Sequence, residues 1–171
     1  MDIRIAGIEP ASVTDGDGFR FVLFTQGCIH ECFGCHNPET HDLYGGALTT
    51  TENILEVFNK MKNSLTKGIT FSGGEPFLQP EACIEIAKEI HKIETDMYPS
   101  SGKYCDVWCY TGYTYEQIIR DETKKQFLNH IDVLIDGPYI QGLRDINLKF
   151  RGSSNQRILY LKNGEIDRIE T

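Results

Sequence analysis

Short apolar, β-rich runs alternate along this chain with stretches of helical period, and that alternation limits the fold more than any other feature. Phe19 to Thr25 (FRFVLFT) is a mostly apolar, β-rich run, as expected of a buried strand. Ile54, Phe58, Met61 and Leu65 then recur at helical spacing, in a helix expected from about Thr51. Gly68 to Phe71 is a second short strand. Pro80 can open a second helix, where its missing N–H costs nothing, and that helix would bury Cys83, Ala87, Ile90 and Ile93. Residues 96–103 form a polar loop. Asp106 to Tyr110 and Ile131 to Ile135 are a third and a fourth strand. Between them Thr114 and Gln117 have the spacing of a capping box. The final segment, RILYLKNGEIDRI, predicts a hairpin turning at Asn163-Gly164.

Strand followed by helix followed by strand implies parallel crossover units. The chain has 171 residues, which suits a single domain over 1–171, and it holds too few units for a closed eight-stranded barrel. A partial, open (β/α) barrel or a short sheet of mostly parallel strands, ending in a β-hairpin, is the expected α/β architecture. In such folds ligands gather at the C-terminal ends of the strands. Three chemistry-bearing segments fall there: Cys28 to Cys35, Ser72 to Pro76, and Tyr110 to Gly112.

The first of these is Cys28-Ile29-His30-Glu31-Cys32-Phe33-Gly34-Cys35, a C-x3-C-x2-C spacing. Three thiolates can hold three corners of a [4Fe–4S] cube and leave the fourth iron open to a small molecule. A zinc site completed by His30 or His36 uses the same residue types and is the alternative at this point. The second segment is a Gly-Gly turn. Gly73 and Gly74 let backbone approach a ligand closely, and Glu75 offers a carboxylate to a ligand ammonium. Cys83, Cys105 and Cys109 lie among apolar neighbours and fit packing roles. Arg20 and Arg151 suit structural ion pairs as well as substrate contacts. His41, His91 and His130 have no clustered partners in sequence.

Six cysteines in a chain of this kind do not form a disulfide scaffold if the protein is cytoplasmic. A cytoplasmic protein is expected: the N-terminus lacks a secretory pattern, and no run of about 18 apolar residues suggests a membrane span. The formal net charge of −8 argues against a general nucleic-acid surface, which needs a basic stripe.

C-x3-C-x2-C followed one strand later by Gly-Gly-Glu resembles the radical S-adenosylmethionine enzymes. Further blocks narrow the resemblance. They are Asp15-Gly16-Asp17-Gly18-Phe19-Arg20, Gly27 to Thr40, Tyr110 to Thr114, Asp132 to Tyr139, and Phe150 to Arg157 (FRGSSNQR). Together they are similar to the activating proteins of anaerobic ribonucleotide reductases, and the last block is the most specific.

The resemblance implies a [4Fe–4S] cluster on Cys28, Cys32 and Cys35, with S-adenosylmethionine chelating the open iron. It implies that Gly73, Gly74 and Glu75 hold the methionyl amine, and that Gly34 and His36, flanking Cys35, line the adenine site. Thr111 and Asp136 are implied as ribose or methionyl contacts. Reductive cleavage would give a radical that takes hydrogen from a glycine of the large catalytic subunit of the reductase. A small protein such as flavodoxin would donate the electron. The rival readings are an activator of another glycyl-radical enzyme, of the pyruvate formate-lyase type, a small radical enzyme acting on a free metabolite, and a zinc-stabilised interaction module.

Overall fold

A computed structural model describes residues 1–170. The strands are β1 (Asp2–Ser12), β2 (Phe19–Thr25), β3 (Ala47–Thr50), β4 (Thr66–Gly73), β5 (Asp106–Tyr110), β6 (Val133–Asp136), β7 (Arg157–Lys162) and β8 (Glu165–Glu170). The helices are α1 (Thr51–Met61), α2 (Pro80–Ile90), α3 (Tyr115–Ile118) and α4 (Glu122–Leu128). All eight strands join one sheet in the order β3-β1-β2-β4-β5-β6-β7-β8.

The centre of this sheet is parallel. β2 pairs with β4, β4 with β5, and β5 with β6 in that sense. Both flanks are antiparallel: β3-β1-β2 on one side and β6-β7-β8 on the other. The parallel centre and the closing hairpin match the sequence expectation. The β3-β1 flank does not appear in it, because β1 carries Gly7 and Pro10 and is half-exposed, with irregular register against β2. No helix among the described residues is long and apolar enough to cross a membrane.

The two faces of the sheet are packed differently. On one face α1, α2 and α4 cover a core that includes Phe21, Leu23, Phe58, Ile69, Phe71, Ile86, Ile90 and Phe127, all essentially inaccessible to water. Each such side chain contributes about 1.5–3 kcal/mol relative to exposure. Thr50 caps α1 by accepting from Asn53 N, Pro80 occupies the first turn of α2, and Asp121 caps α4 by accepting from Lys124 N at 3.0 Å. Helix α1 stops at Met61, which is exposed, and Leu65 lies beyond it, also exposed. Cys83, Cys105, Val107 and Cys109 are in this core, as their sequence context predicts. Burial raises the Cys105 thiol to about 11, and pushes those of Cys83 and Cys109 up as well.

The opposite face carries Trp108, Val133, Ile135 and Ile158, with Phe150, Tyr110 and Tyr160 packed on them. Phe150 belongs to the connection between β6 and β7, residues 137–156, which folds back over this face. Arg20 lies fully buried on β2, paired with Asp106 Oδ1 at 2.7 Å and donating to Thr70 Oγ1 and Ile69 O. Of the two roles open to it in sequence, it has the structural one. The Cys and Gly-Gly segments follow β2 and β4, whose parallel pairing brings them to the same end of the sheet.

Candidate functional site

The first contact between the two segments is backbone to backbone. Gly74 N donates to Thr25 O and Glu75 N to Gly27 O, both at 2.8 Å, so the β4 turn closes directly onto the exit of β2. Neither glycine tolerates a side chain there. Gly73 has φ +92°, and a Cβ on it would stand 2.7 Å from Phe24 Cα. A Cβ on Gly74 would strike the Gly27 carbonyl. Beyond Gly27 the chain makes the cysteine loop. Gln26 clasps its far end by donating to Glu39 O and Asp42 O. Within the loop Cys35 N donates to Cys32 O, and Asn37 N donates to Cys35 Sγ at 3.4 Å.

Glu75 is fully buried, and both its carboxylate oxygens are engaged. Oε1 accepts from Phe77 N at 3.0 Å and Thr111 Oγ1 at 2.9 Å. Oε2 accepts from Gly112 N at 2.9 Å and from His30 Nε2 at 2.6 Å. The His30 ring also meets Tyr113 edge-on, with centroids 4.6 Å apart. One carboxylate thus joins the cysteine loop, the Gly-Gly turn and the end of β5. In sequence Glu75 reads as a carboxylate facing a ligand, and His30 only as a candidate zinc ligand. Nothing local in the sequence signals their pairing.

A cavity of about 390 Å³ opens at this end of the sheet. Cys28, Cys32, Cys35, His36, Gly73, Gly74 and Thr111 all line it. The three cysteines are free and partly exposed, and burial holds the Cys28 thiol above its ordinary value. Among the described residues no three His, Cys, Asp or Glu side chains stand close enough to hold one metal ion.

Gly34 is exposed and is not among the lining residues; a side chain on it would meet Gln141. Asp136 does not face the cavity. It is buried, ion-paired with Arg157, and accepts from Tyr115 N at 2.7 Å to anchor α3. Arg157 in turn reaches Glu116 and holds that carboxyl below the usual range. The structure thus engages Asp136 with Arg157 and α3, and it is not among the residues that line the cavity.

The lining also includes Asp15, Tyr110, Tyr139 and Phe150, which lie in the motif blocks without a role read from sequence, and Arg151, which the sequence leaves open between an ion pair and a substrate contact and which here donates to Lys149 O and Gln156 O. His41 lines the cavity too, whereas His91 pairs with Asp132 at 2.7 Å elsewhere.

Comparison with known proteins bears on this site directly. The sequence matches the family described as "4Fe-4S single cluster domain" over residues 14–159, which takes in both the cysteine loop and the β4 turn. It is also 35% identical over 155 residues to the anaerobic ribonucleoside-triphosphate reductase-activating protein of Escherichia coli, covering 90% of this chain and 96% of the relative. The chain belongs to this family of activating proteins.

Other members are similar at the same level. The Vibrio cholerae protein of that name is 35% identical over 151 residues, covering 87% of this chain and 92% of the relative. The Haemophilus influenzae protein is 34% identical over 153 residues, with the same coverage. The matched segment runs from the loop before β2 into β7, and so contains the parallel strands β2, β4, β5 and β6.

Proposed function

We infer that the chain is an activating enzyme that cleaves S-adenosylmethionine reductively with a [4Fe–4S] cluster and so generates a glycyl radical on the large catalytic subunit of the anaerobic ribonucleoside-triphosphate reductase. Family membership supports the activity. The observation that carries it to particular residues is the cavity in which Cys28, Cys32 and Cys35 meet the Gly73-Gly74 turn. When bound, the cluster supplies the electron for cleavage of the sulfonium bond.

Three partly exposed thiols on one loop suit a cube in which each thiolate takes its own iron, and suit less well one ion shared by three ligands. Cys28, Cys32 and Cys35 are therefore assigned as cluster ligands. Gly73 and Gly74 present backbone to the methionyl amine. Glu75 can meet that amine only if His30 yields, since both carboxylate oxygens already accept hydrogen bonds. His36 and its neighbour Gly34 are assigned to the adenine side. Thr111 orients Glu75 and borders the same space. Holding the reacting groups together in this cavity replaces an improbable encounter with an intramolecular step.

The sheet is read as a partial, open barrel, and residues 1–171 as one domain. The remaining cysteines are buried in the core. The electron is accordingly assigned to an external donor, a small protein such as flavodoxin.

The test is anaerobic. The reconstituted and reduced protein is mixed with S-adenosylmethionine and the large reductase subunit, with Cys32→Ala as control. The expected outcome is 5′-deoxyadenosine together with a glycyl-type paramagnetic resonance signal that needs both proteins and is lost in the variant. A colourless protein that binds zinc and releases no deoxyadenosine would refute the reading.

A further inference from the structure

We propose that the connection between β6 and β7, together with Phe33 of the cysteine loop, is the surface that docks the large reductase subunit. This inference rests on the function proposed above. The connection, residues 137–156, is longer than compact domains normally tolerate without a role. It is not slack. Ser154 N donates to Leu143 O at 2.9 Å, Asp145 N donates to Gly152 O, and Arg144 and Ser153 bridge in antiparallel fashion. Its base is pinned by Asn155 donating to Pro138 O and by Phe150 set edge-on against Trp108.

This well-tied excursion turns apolar side chains to water. Ile146 near its tip is 84% exposed, and Ile140 and Leu143 are exposed as well. The cysteine loop adds Phe33, which is 85% exposed. The two segments touch: Gly34 lies against Gln141, and the rings of His36 and Tyr139 are 5.4 Å apart. Leu148 of the same connection lines the cavity. The exposed apolar residues therefore border the mouth through which a protein-borne glycine must enter. Rigid backbone with outward apolar side chains is the form of a preorganised protein contact, which buries them without a large ordering cost.

Charge identifies the partner's chemistry. The whole chain is net −8, yet residues 137–156 carry Arg144, Lys149 and Arg151 against the single carboxylate of Asp145. A partner surface with apolar pockets ringed by acidic groups fits this rim. A second copy of this acidic chain is the competing occupant.

The experiment compares wild type, the double variant Leu143→Ser/Ile146→Ser, and Arg144→Glu, all reconstituted anaerobically. Deoxyadenosine release without partner tests the cofactor site alone. Binding to the large subunit and glycyl-radical yield at limiting large subunit test docking. The double variant should release deoxyadenosine as wild type does, and bind the large subunit at least about tenfold more weakly. Arg144→Glu should slow association in a salt-dependent way.

Wild-type binding and radical yield in both variants would overturn the proposal. So would loss of deoxyadenosine release in the double variant, or a dimer of this chain dissolved by the variants while partner binding is unchanged. If wild type releases deoxyadenosine but makes no protein radical, the proposed function itself fails, which is a different result from a variant-specific loss.

Discussion

A buried carboxylate is tolerated only when its oxygens are satisfied, and Glu75 meets that condition with donors from three separate segments. Its removal strands those donors. Glu75→Ala is expected to cost about 3–5 kcal/mol in denaturant unfolding of the cluster-free protein. Glu75→Gln keeps the shape but turns an amide N–H toward donors, and its expected cost is smaller, about 1–3 kcal/mol. Equal stability of wild type and Glu75→Ala would show that the hydrogen-bond network does not hold these segments together. The three cysteines and two glycines were legible in sequence because their chemistry lies in spacing along the chain. The claims on Glu75 by His30 and on Asp136 by Arg157 were not, because each joins residues far apart in sequence that only the folded sheet brings together.

Elements with strong local signals form where the sequence places them. The hairpin β7–β8 turns at Asn163 and Gly164 with φ of 52° and 77°, the left-handed pair that this dipeptide favours. Tyr115 Oη donates to Gly164 O, which ties the turn to α3. A Cβ on Gly164 would sit 2.5 Å from Asn129 Oδ1, at a positive φ as well. Gly164→Ala should therefore lower stability by about 1–2 kcal/mol, read as a fall in thermal midpoint of several degrees, with the cofactor cavity unaffected. Elements with weak signals escaped notice. β3 is four residues of ALTT, none of them buried, set by its backbone pairing with β1, and α4 is a short polar helix held by the packing of Phe127 and Leu128, so tertiary context defines both more than propensity does.

At the scale of the molecule, stability and chemistry are carried by different parts. The apolar core lies between the sheet and α1, α2 and α4, and none of the three loop cysteines belongs to it. Small domains that need a metal to fold unfold when it is removed. This chain should not. Chelating the iron from the reconstituted protein is expected to abolish colour and cleavage while leaving far-ultraviolet dichroism and cooperative unfolding in place. Collapse of the sheet on chelation would mean that the cluster holds the fold together.

Trp108 has a consequence of a practical kind. It is the chain's single tryptophan, it is 2% exposed, and it lies between the Arg20 guanidinium, 5.1 Å from its ring centroid, and the edge of Phe150. Its emission therefore reports on the underside of the β6–β7 connection together with the sheet residues Val133, Ile135 and Ile158 it packs on. The molecule carries its own optical probe at the place where the partner is proposed to dock, so that engagement could be timed by stopped-flow fluorescence without attaching a dye.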